Sequence, residues 1–270
     1  MPVKIDGSGY ISGLAPMGAC RLDKNGTNLL LSRFNGNQLF INGDNRPIPA
    51  AGVTLAQAAL TASAVNYVYA AWSAGAIVLE PSATAPVIET TYGTKVKTGD
   101  ASRALVGMCY PKAGPTLTDT AAARLVLSWF NQRPLDLLAY LTANRTSTNT
   151  GFVEVNAEIR IEFLCWANNT PELSAAGSVT NSVNGGAVRT GIAIDSTTTP
   201  IDGGNFTSNP PGVNSIQMPM GFTSKPQTPP AEGYHYATLL GATVGGSSTS
   251  LWVGAAAASD RTALLGSTLG

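Results

Sequence analysis

Residues 232–242 read EGYHYATLLGA and contain the chain's only histidine, His235, between Tyr234 and Tyr236. A lone histidine could act in proton transfer, because its unperturbed pKa lies near neutral pH. The alternation of side chains favours a β-strand instead: His235 shares one face with Leu239, and the two tyrosines point the other way. We therefore interpret the stretch as a strand of a β-sandwich, with His235 in its packing or at an interface.

Similar short patterns occur along the rest of the chain. Residues 65–81, VNYVYAAWSAGAIVLEP, predict a hairpin that turns at 73–75. Residues 28–43, NLLLSRFNGNQLFING, predict strands at 29–34 and 38–42, paired around the Asn-Gly turn at 35–37. The stretches TYGTKVKTGD and RALVGMCYP read as two further strands, which together with these hairpins make a compact β unit.

Two later stretches are less simple. Residues 120–131, TAAARLVLSWFN, fit a helix face and a strand face equally well, and their β-like surroundings favour a strand. Residues 154–166, EVNAEIRIEFLCW, alternate with period two. We expect one half-buried strand there, with Glu158, Arg160 and Glu162 on its solvent face and Arg160 paired with either glutamate.

The predicted fold class is all-β, with two β domains. The boundary is expected in the Pro/Gly/Thr stretch PKAGPTLTDT at 111–120. Residues 1–112 would form an anchoring or scaffold domain that includes a Gly-rich arm at 7–18. Residues 113–270 would form a jelly-roll-like antiparallel sandwich.

The composition excludes several kinds of partner. Charged residues make up 12% of the chain, about half of the roughly 25% that is usual, and the net charge is zero. We expect no nucleic-acid partner, because there is no basic footprint, and no membrane partner, because no apolar run approaches the ~20 residues of a membrane span. No secretory signal is evident at the start, and three widely spaced cysteines are expected to be free thiols in a reducing cytoplasm.

Catalytic motifs are missing from the sequence. It contains no G-x-S-x-G, no H-E-x-x-H, no Walker A sequence and no calcium loop of the D-x-D-x-D-G type. Glu158 and Glu162 would lie about 13 Å apart on one strand, which is too far for a retaining glycosidase pair. The four tryptophans are expected to pack in the core. We therefore predict no catalytic, cofactor-binding or metal-binding residues, and a protein that is not an enzyme.

Three stretches together resemble virion structural proteins of tailed bacteriophages, of the tail-fibre-like and capsid-decoration-like kind. They are NYVYAAWSAGAIVLEPSATA at 66–85, KVKTGDASRALVGMCYP at 95–111 and EGYHYATLLGA at 232–242. The matching motifs are a Tyr-Val-Tyr-Ala strand, a Lys-Thr-Gly-Asp turn and a Leu-Val-Gly-Met strand, and none of them is catalytic. The resemblance covers about half of the chain and implies a location in the virion, after assembly in the host bacterial cytoplasm.

The resemblance implies a non-enzymatic fibre, tail-associated or capsid-decorating component. Its expected partners are other virion proteins and copies of itself, with a trimer favoured because such proteins commonly form symmetric oligomers. The predicted assembly contacts are Tyr234, Tyr236 and His235, together with the Gly-rich arm. Two alternatives stay open: a module that binds a host surface glycan through aromatic side chains at 196–215, and a glycan-cleaving fibre that uses Glu158.

Overall fold

The computed structural model describes residues 4–5, 11–12, 16–183, 186–209, 217–244, 248–254 and 261–270. Most of the Gly-rich arm at 7–18 lies outside the described residues. The chain is all-β, as predicted: the described residues contain no α-helix and only two single-turn 3₁₀ helices, Gln57–Ala59 and Ala157–Ile159.

The strands are short and follow one another closely, as expected from a chain rich in glycine, proline and turn residues. The first half of the chain forms β1 (Lys4–Ile5), β2 (Ile11–Ser12), β3 (Cys20–Asn25), β4 (Asn28–Arg33), β5 (Gln38–Ile41), β6 (Asp44–Pro47), β7 (Val53–Ala56), β8 (Asn66–Ser73), β9 (Ala76–Ser82), β10 (Pro86–Ile88), β11 (Lys95–Lys97), β12 (Asp100–Cys109), β13 (Asp119–Thr120), β14 (Ala123–Arg124) and β15 (Val126–Ser128).

The second half continues the same pattern with several longer strands. It forms β16 (Pro134–Tyr140), β17 (Arg145–Ser147), β18 (Val153–Glu154), β19 (Ile161–Cys165), β20 (Glu172–Asn181), β21 (Ala187–Ile194), β22 (Asn205–Ser208), β23 (Met218–Ser224), β24 (Gly233–Val244), β25 (Ser250–Trp252) and β26 (Ala263–Leu269).

The contacts within the chain divide it into two compact units. Unit 1 consists of residues 1–119, 125–133 and 270, and unit 2 consists of residues 120–124 and 134–269. Both units therefore draw on the segment 120–133. The predicted domains, 1–112 and 113–270, stay a prediction.

Unit 1 is built around a six-stranded sheet in the order β10-β11-β12-β8-β9, with β15 also paired to β12. A three-stranded sheet, β3-β4-β7, and the β5-β6 hairpin supply the apolar side chains that pack with it. β8 is buried along almost its whole length. Its Val68 and Ala70 enter the main core of the unit, and Tyr69 is also fully buried, with its hydroxyl donating to the Thr84 carbonyl oxygen at 2.7 Å.

The hairpin predicted at 73–75 is confirmed, with a two-residue loop. Ala74 and Gly75 have φ angles of 48° and 83°, the left-handed pair that a type I′ turn requires.

The hairpin predicted around 35–37 is wrong in its pairing. The Asn35-Gly36 turn does form, but the strands on either side of it, β4 and β5, belong to different sheets. The two-residue hairpin lies one turn later at Asn42-Gly43, where both φ angles are positive and β5 pairs with β6. Several Asn-Gly-type turns follow one another here, and local turn chemistry does not decide which of them joins paired strands.

Unit 2 is a sandwich of two sheets, which confirms the antiparallel sandwich predicted for the C-terminal region. One sheet has the order β13-β14-β19-β24-β21-β22 with β18 added to β24, and the other has the order β16-β26-β20-β25-β17 with β23 added to β20. Apolar side chains from both sheets meet in one core, including Phe163 from the first and Trp252 and Leu264 from the second. β14 and β19 are parallel, whereas the other registered pairs are antiparallel.

The three cysteines are free and buried. Burial raises the pKa of Cys20 and of Cys109 to about 12. The pKa of Cys165 is raised to about 11, mainly by burial and to a smaller extent by the negative charge of Glu232. Because the thiolate is the reactive form, these side chains act as small apolar core residues at neutral pH.

Candidate functional site

The stretch 232–242 contains most of β24, the strand that lies between β19 and β21 in its sheet. His235 is directly opposite Phe163, and their ring centroids are 5.8 Å apart. His235 is 8% exposed, whereas Tyr234 and Tyr236 are half-buried on the opposite face. The strand interpretation and the predicted alternation of faces are therefore confirmed.

His235 is held by two oxygen atoms. Its Nδ1 lies 2.6 Å from Oδ2 of Asp195, and its Nε2 lies 2.7 Å from the carbonyl oxygen of Ala231. A carbonyl oxygen and an ionised carboxylate only accept hydrogen bonds, so both ring nitrogens must donate. The geometry fits a doubly protonated, positively charged imidazolium ring.

Asp195 is fixed in turn by the backbone of β24. Its Oδ1 accepts a hydrogen bond from the backbone N–H of Tyr236 at 3.1 Å, and its own N–H donates to the Tyr236 carbonyl at 3.0 Å. Asp195 has a φ of 53°, the left-handed conformation that aspartate tolerates better than most residues. This turn just after β21 aims the carboxylate at the histidine ring.

The two pKa values move apart, as expected for an ion pair. Burial disfavours the charged form of His235, but the hydrogen bonds to Asp195 and Ala231 and the charge of Asp195 outweigh it, so the pKa of His235 is raised above 6.5. Burial also disfavours the charged form of Asp195, but its hydrogen bonds to His235 and Tyr236 and the charge of His235 outweigh it, so the pKa of Asp195 is lowered below 3.8. The pair is charged between these two titrations.

We expect the Asp195–His235 pair to make folding stability depend on pH. Because the pKa of His235 is raised in the folded state, its contribution is complete below about pH 6.5 and is lost as the pH rises through the folded-state pKa. The lowered pKa of Asp195 adds stability above about pH 3.8 that is lost as the pH falls further. Urea unfolding at pH 5.5 and at pH 8.5 should therefore give a higher free energy of unfolding at pH 5.5.

Asp195→Asn is the matched test, because asparagine also tolerates the left-handed backbone. We expect a loss of about 1 kcal/mol at pH 5.5, at the low end for a charge-assisted hydrogen bond because the Asp195 side chain is 46% exposed. The difference between the two pH values should also shrink. Asp202→Asn, at an exposed turn position, is the control and should change neither quantity. A pH dependence that survives Asp195→Asn unchanged would contradict the assignment.

A second polar network lies on the solvent face of the same sheet. The Tyr234 hydroxyl donates to Oε1 of Glu162 at 2.7 Å. Arg160 makes a two-pronged ion pair with Glu154, at 2.5 and 2.7 Å, and its guanidinium lies 4.8 Å from the ring centroid of Tyr236. Both tyrosine rings are thus held in place while each keeps a partly exposed edge.

The predicted arrangement of Glu158, Arg160 and Glu162 on one strand is wrong. Glu158 lies in the 3₁₀ helix that precedes β19, where Asn156 caps its backbone N–H. Its carboxylate pairs with Arg145 rather than with Arg160. The helix breaks the period-two pattern, because Asn156 offers a local side-chain hydrogen bond that competes with strand pairing.

The tryptophans divide into two groups. Trp166 and Trp252 are buried, as predicted. Trp72 and Trp129 are partly buried, and a cation covers each of them: Arg46 lies 4.7 Å from the Trp72 ring and Lys95 lies 4.4 Å from the Trp129 ring. Part of the loop at 196–215 lies outside the described residues. Within its described part, Phe206 is exposed and stacks on Phe222, with centroids 6.0 Å apart.

The sequence did not reveal Asp195 as the partner of His235. The two residues are 40 positions apart, and the pairing of β21 with β24 brings them together. The only signal was the position of Asp195 as the last residue of the strand-like stretch VRTGIAID at 188–195. In the described part of the chain, no group of three or more histidine, cysteine and acidic side chains could hold a metal ion. Nor do those residues include a helix that is long and apolar enough to cross a bilayer.

No family model matches the chain, and no curated protein matches it either. The solved structures that show weak likeness include two of one virus. One is the VP2 subviral particle of infectious bursal disease virus, at 15% identity and a TM-score of 0.28, with 69% of this chain and 52% of the other covered. The other is the Gx strain of the same virus, at 12% identity and a TM-score of 0.29, with 96% of this chain and 81% of the other covered.

Both structures have low TM-scores to this chain, 0.28 and 0.29. The match to the subviral-particle chain spans about half of that chain's length. Similar β architectures occur in proteins of unrelated function.

Proposed function

We propose that this protein is a non-enzymatic structural component of a tailed-bacteriophage particle. It would be a fibre, a tail-associated protein or a capsid-decorating protein that assembles in the host cytoplasm as a symmetric homo-oligomer, with a trimer favoured. The proposal rests on the three phage-like stretches, which fall on the β8–β9 hairpin, on β11 and β12, and on β24. β8, β11, β12 and β24 are inner strands of their sheets, whereas β9 lies at a sheet edge.

The proposed assembly role is supported by the low charge and the exposed apolar side chains of the protein surface. Only 12% of the chain is charged, so charge repulsion contributes little to keeping copies apart. Large apolar side chains are nevertheless exposed in both units: Met17, Val87, Ile88, Tyr92, Leu138, Tyr140, Val183, Phe206, Val244 and Leu269. Burial of such side chains between copies or against neighbouring proteins would stabilise a particle.

Tyr234 and Tyr236 are the proposed contact residues on β24. Aromatic side chains that are held rigid contribute strongly to interfaces, because little conformational entropy is lost when they bind. His235 points to the core face, so its role would be indirect: its ion pair fixes Asp195, which is half exposed next to Tyr236.

The alternative, a glycan-binding module, draws less support. Carbohydrate modules stack sugars on exposed aromatic platforms, whereas Trp166 and Trp252 are buried and a cation lies over each of Trp72 and Trp129. In the described part of 196–215 the exposed ring of Phe206 is already stacked on Phe222. A glycan-cleaving fibre based on Glu158 also draws less support, because Arg145 and Thr142 occupy its carboxylate.

The test is the mass of the purified protein in solution. Light scattering at micromolar concentration should give three times the chain mass of 27.7 kDa. Tyr236→Ser should shift the population toward monomer, because it removes an interface aromatic, whereas Asp202→Asn, at an exposed turn position in the same unit, should not. A monomer under all conditions would contradict self-assembly, and a trimer that Tyr236→Ser leaves intact would contradict the proposed contact.

A further inference from the structure

A cavity of about 210 Å³ lies in unit 1, between the Asn42-Gly43 turn and the loop that joins β10 to β11. Its lining includes Phe40, Val96, Tyr92 and Glu89. Pockets that bind drug-sized ligands measure about 300–1,000 Å³. The cavity therefore suits a group the size of one side chain.

Two aromatic rings meet at this cavity at a steep angle. The ring centroids of Phe40 and Tyr92 are 4.9 Å apart and their planes are inclined by 63°. Phe40 is 5% exposed and forms part of the floor, whereas Tyr92 is 38% exposed. Val87 pairs with Val96 and is therefore on the same face of the sheet, where it is 45% exposed. Tyr92 thus gives the cavity aromatic surface that remains open to solvent, and Val87 adds exposed apolar surface on the same face of the sheet.

Among the residues that the structure describes, Glu89 is the only charged one that lines the cavity. Its two carboxylate oxygens accept hydrogen bonds from the backbone N–H groups of Thr91 and Tyr92, at 2.7 and 2.8 Å. Hydrogen bonds from Thr91 are the main cause that keeps the pKa of Glu89 below its usual value, so the group is negative at neutral pH. Among the described residues, no lysine or arginine forms an ion pair with it.

Gly43 allows the Tyr92 ring to lie close to the Asn42-Gly43 turn. A Cβ atom at residue 43 would lie 3.3 Å from the Tyr92 hydroxyl oxygen, and the φ of 89° at this residue favours glycine. Lys95 is the nearest basic residue along the chain. It is the cross-strand partner of Ile88, so its side chain lies on the face of the sheet opposite to Val96, where it covers the Trp129 ring. Within the part of the chain that the structure describes, the carboxylate of Glu89 is therefore not paired with a basic side chain.

We propose that this cavity binds an alkylammonium group. Faces of aromatic rings attract cations, a fixed carboxylate complements the positive charge, and the apolar floor accommodates the methylene chain. Asn42 and Thr94 also line the cavity and bring side-chain oxygens that can accept ammonium N–H groups. The site is separate from the proposed assembly role of β24, because it lies in the other unit.

Ligand-observed NMR on the full chain tests the proposal, with saturation transferred from the protein to the probe. The probes are N-acetyl-lysine methylamide for a peptide side chain and glucosamine for an amino sugar. Their neutral counterparts, N-acetyl-norleucine methylamide and glucose, have the same frameworks without the ammonium charge. We expect at least one cationic probe to bind about tenfold more tightly than its neutral counterpart, and which one binds shows whether the amine belongs to a peptide or to a sugar.

Two variants locate the binding. Tyr92→Leu keeps apolar contact with Phe40 but removes the ring, and it should weaken binding about tenfold. Tyr140→Leu, at an exposed tyrosine in unit 2, is the matched control, and this variant should bind as the native protein does.

The role of the charge is tested on the unaltered protein, because Glu89→Gln would disturb a turn. Binding should weaken as the salt concentration rises from about 0.01 to about 1 M, since salt screens exposed charges. Equal binding of charged and neutral probes, absence of binding, or an equal loss in both tyrosine variants would overturn the proposal.

Discussion

Trp252→Ala is expected to lower the free energy of unfolding by about 3–5 kcal/mol, the range for removal of a large aromatic side chain from a core. Trp252 is 0% exposed and belongs to the sandwich core of unit 2. Its indole N–H donates to the Thr190 hydroxyl oxygen at 2.9 Å, and this hydrogen bond is also buried. The substitution removes both the packing and the partner of Thr190, and both losses act in the same direction.

Urea unfolding followed by circular dichroism measures this effect. Trp252→Phe is the matched control, because it keeps much of the ring and removes the N–H. We expect it to cost about 1–3 kcal/mol, for the lost hydrogen bond and the smaller ring. If Trp252→Ala and Trp252→Phe were equally mild, the assignment of Trp252 to a closely packed core would be wrong.

Gly241→Ala is expected to destabilise the protein by about 1–3 kcal/mol, although alanine normally fits a strand better than glycine does. Gly241 is on β24, and a Cβ atom there would lie 2.2 Å from the Trp252 ring. A separation this short cannot occur between real atoms, so either the indole or the strand must shift. The indole is held by its hydrogen bond to Thr190, so the strain cannot be relieved by a simple rotation.

Two comparisons isolate this clash. Gly221→Ala makes the same change in β23, where the nearest atom to the new Cβ, the Ala175 carbonyl oxygen, is 4.0 Å away, and it should leave stability unchanged or slightly higher. In a Trp252→Ala background, Gly241→Ala should lose most of its penalty, because the ring that it strikes is gone. A penalty that persists without the ring would show that the backbone of β24, rather than Trp252, rejects the side chain.

Much of the all-β fold could be predicted from local patterns. The hairpin around Ala74 and the strand that contains His235 follow from period-two alternation and turn composition. The pairing of β4 with β3 and β7 could not be predicted, because Asn-Gly dipeptides show that the chain turns and do not show which strands become neighbours. The 3₁₀ helix at Ala157–Ile159 was missed for a related reason, since a short polar cap can interrupt an otherwise regular strand pattern.

The candidate site could be predicted from the sequence less completely than the fold. His235 could be placed on a strand, on the face opposite the two tyrosines, from its neighbours, but its partner Asp195 is fixed by the register between β21 and β24. Ala231 takes part through its backbone oxygen, which no sequence motif marks. The cavity next to Tyr92 likewise depends on the approach of two hairpins that are about 50 residues apart, so its carboxylate and its two rings carry no common sequence signal.

The segment 120–133 has a consequence for synthesis on the ribosome. β15 pairs with β12 through Val126, Leu127 and Ser128, yet it is encoded after β14, which pairs with β19 in unit 2. The sheet of unit 1 therefore cannot be completed until residue 128 has emerged, although most of that unit is encoded by residue 119. β14 meanwhile has to wait for Glu162 and Phe163 to be translated before it has a partner. The order of translation thus makes the completion of the main sheet of unit 1 an early event and leaves β14 without its partner until β19 has been made.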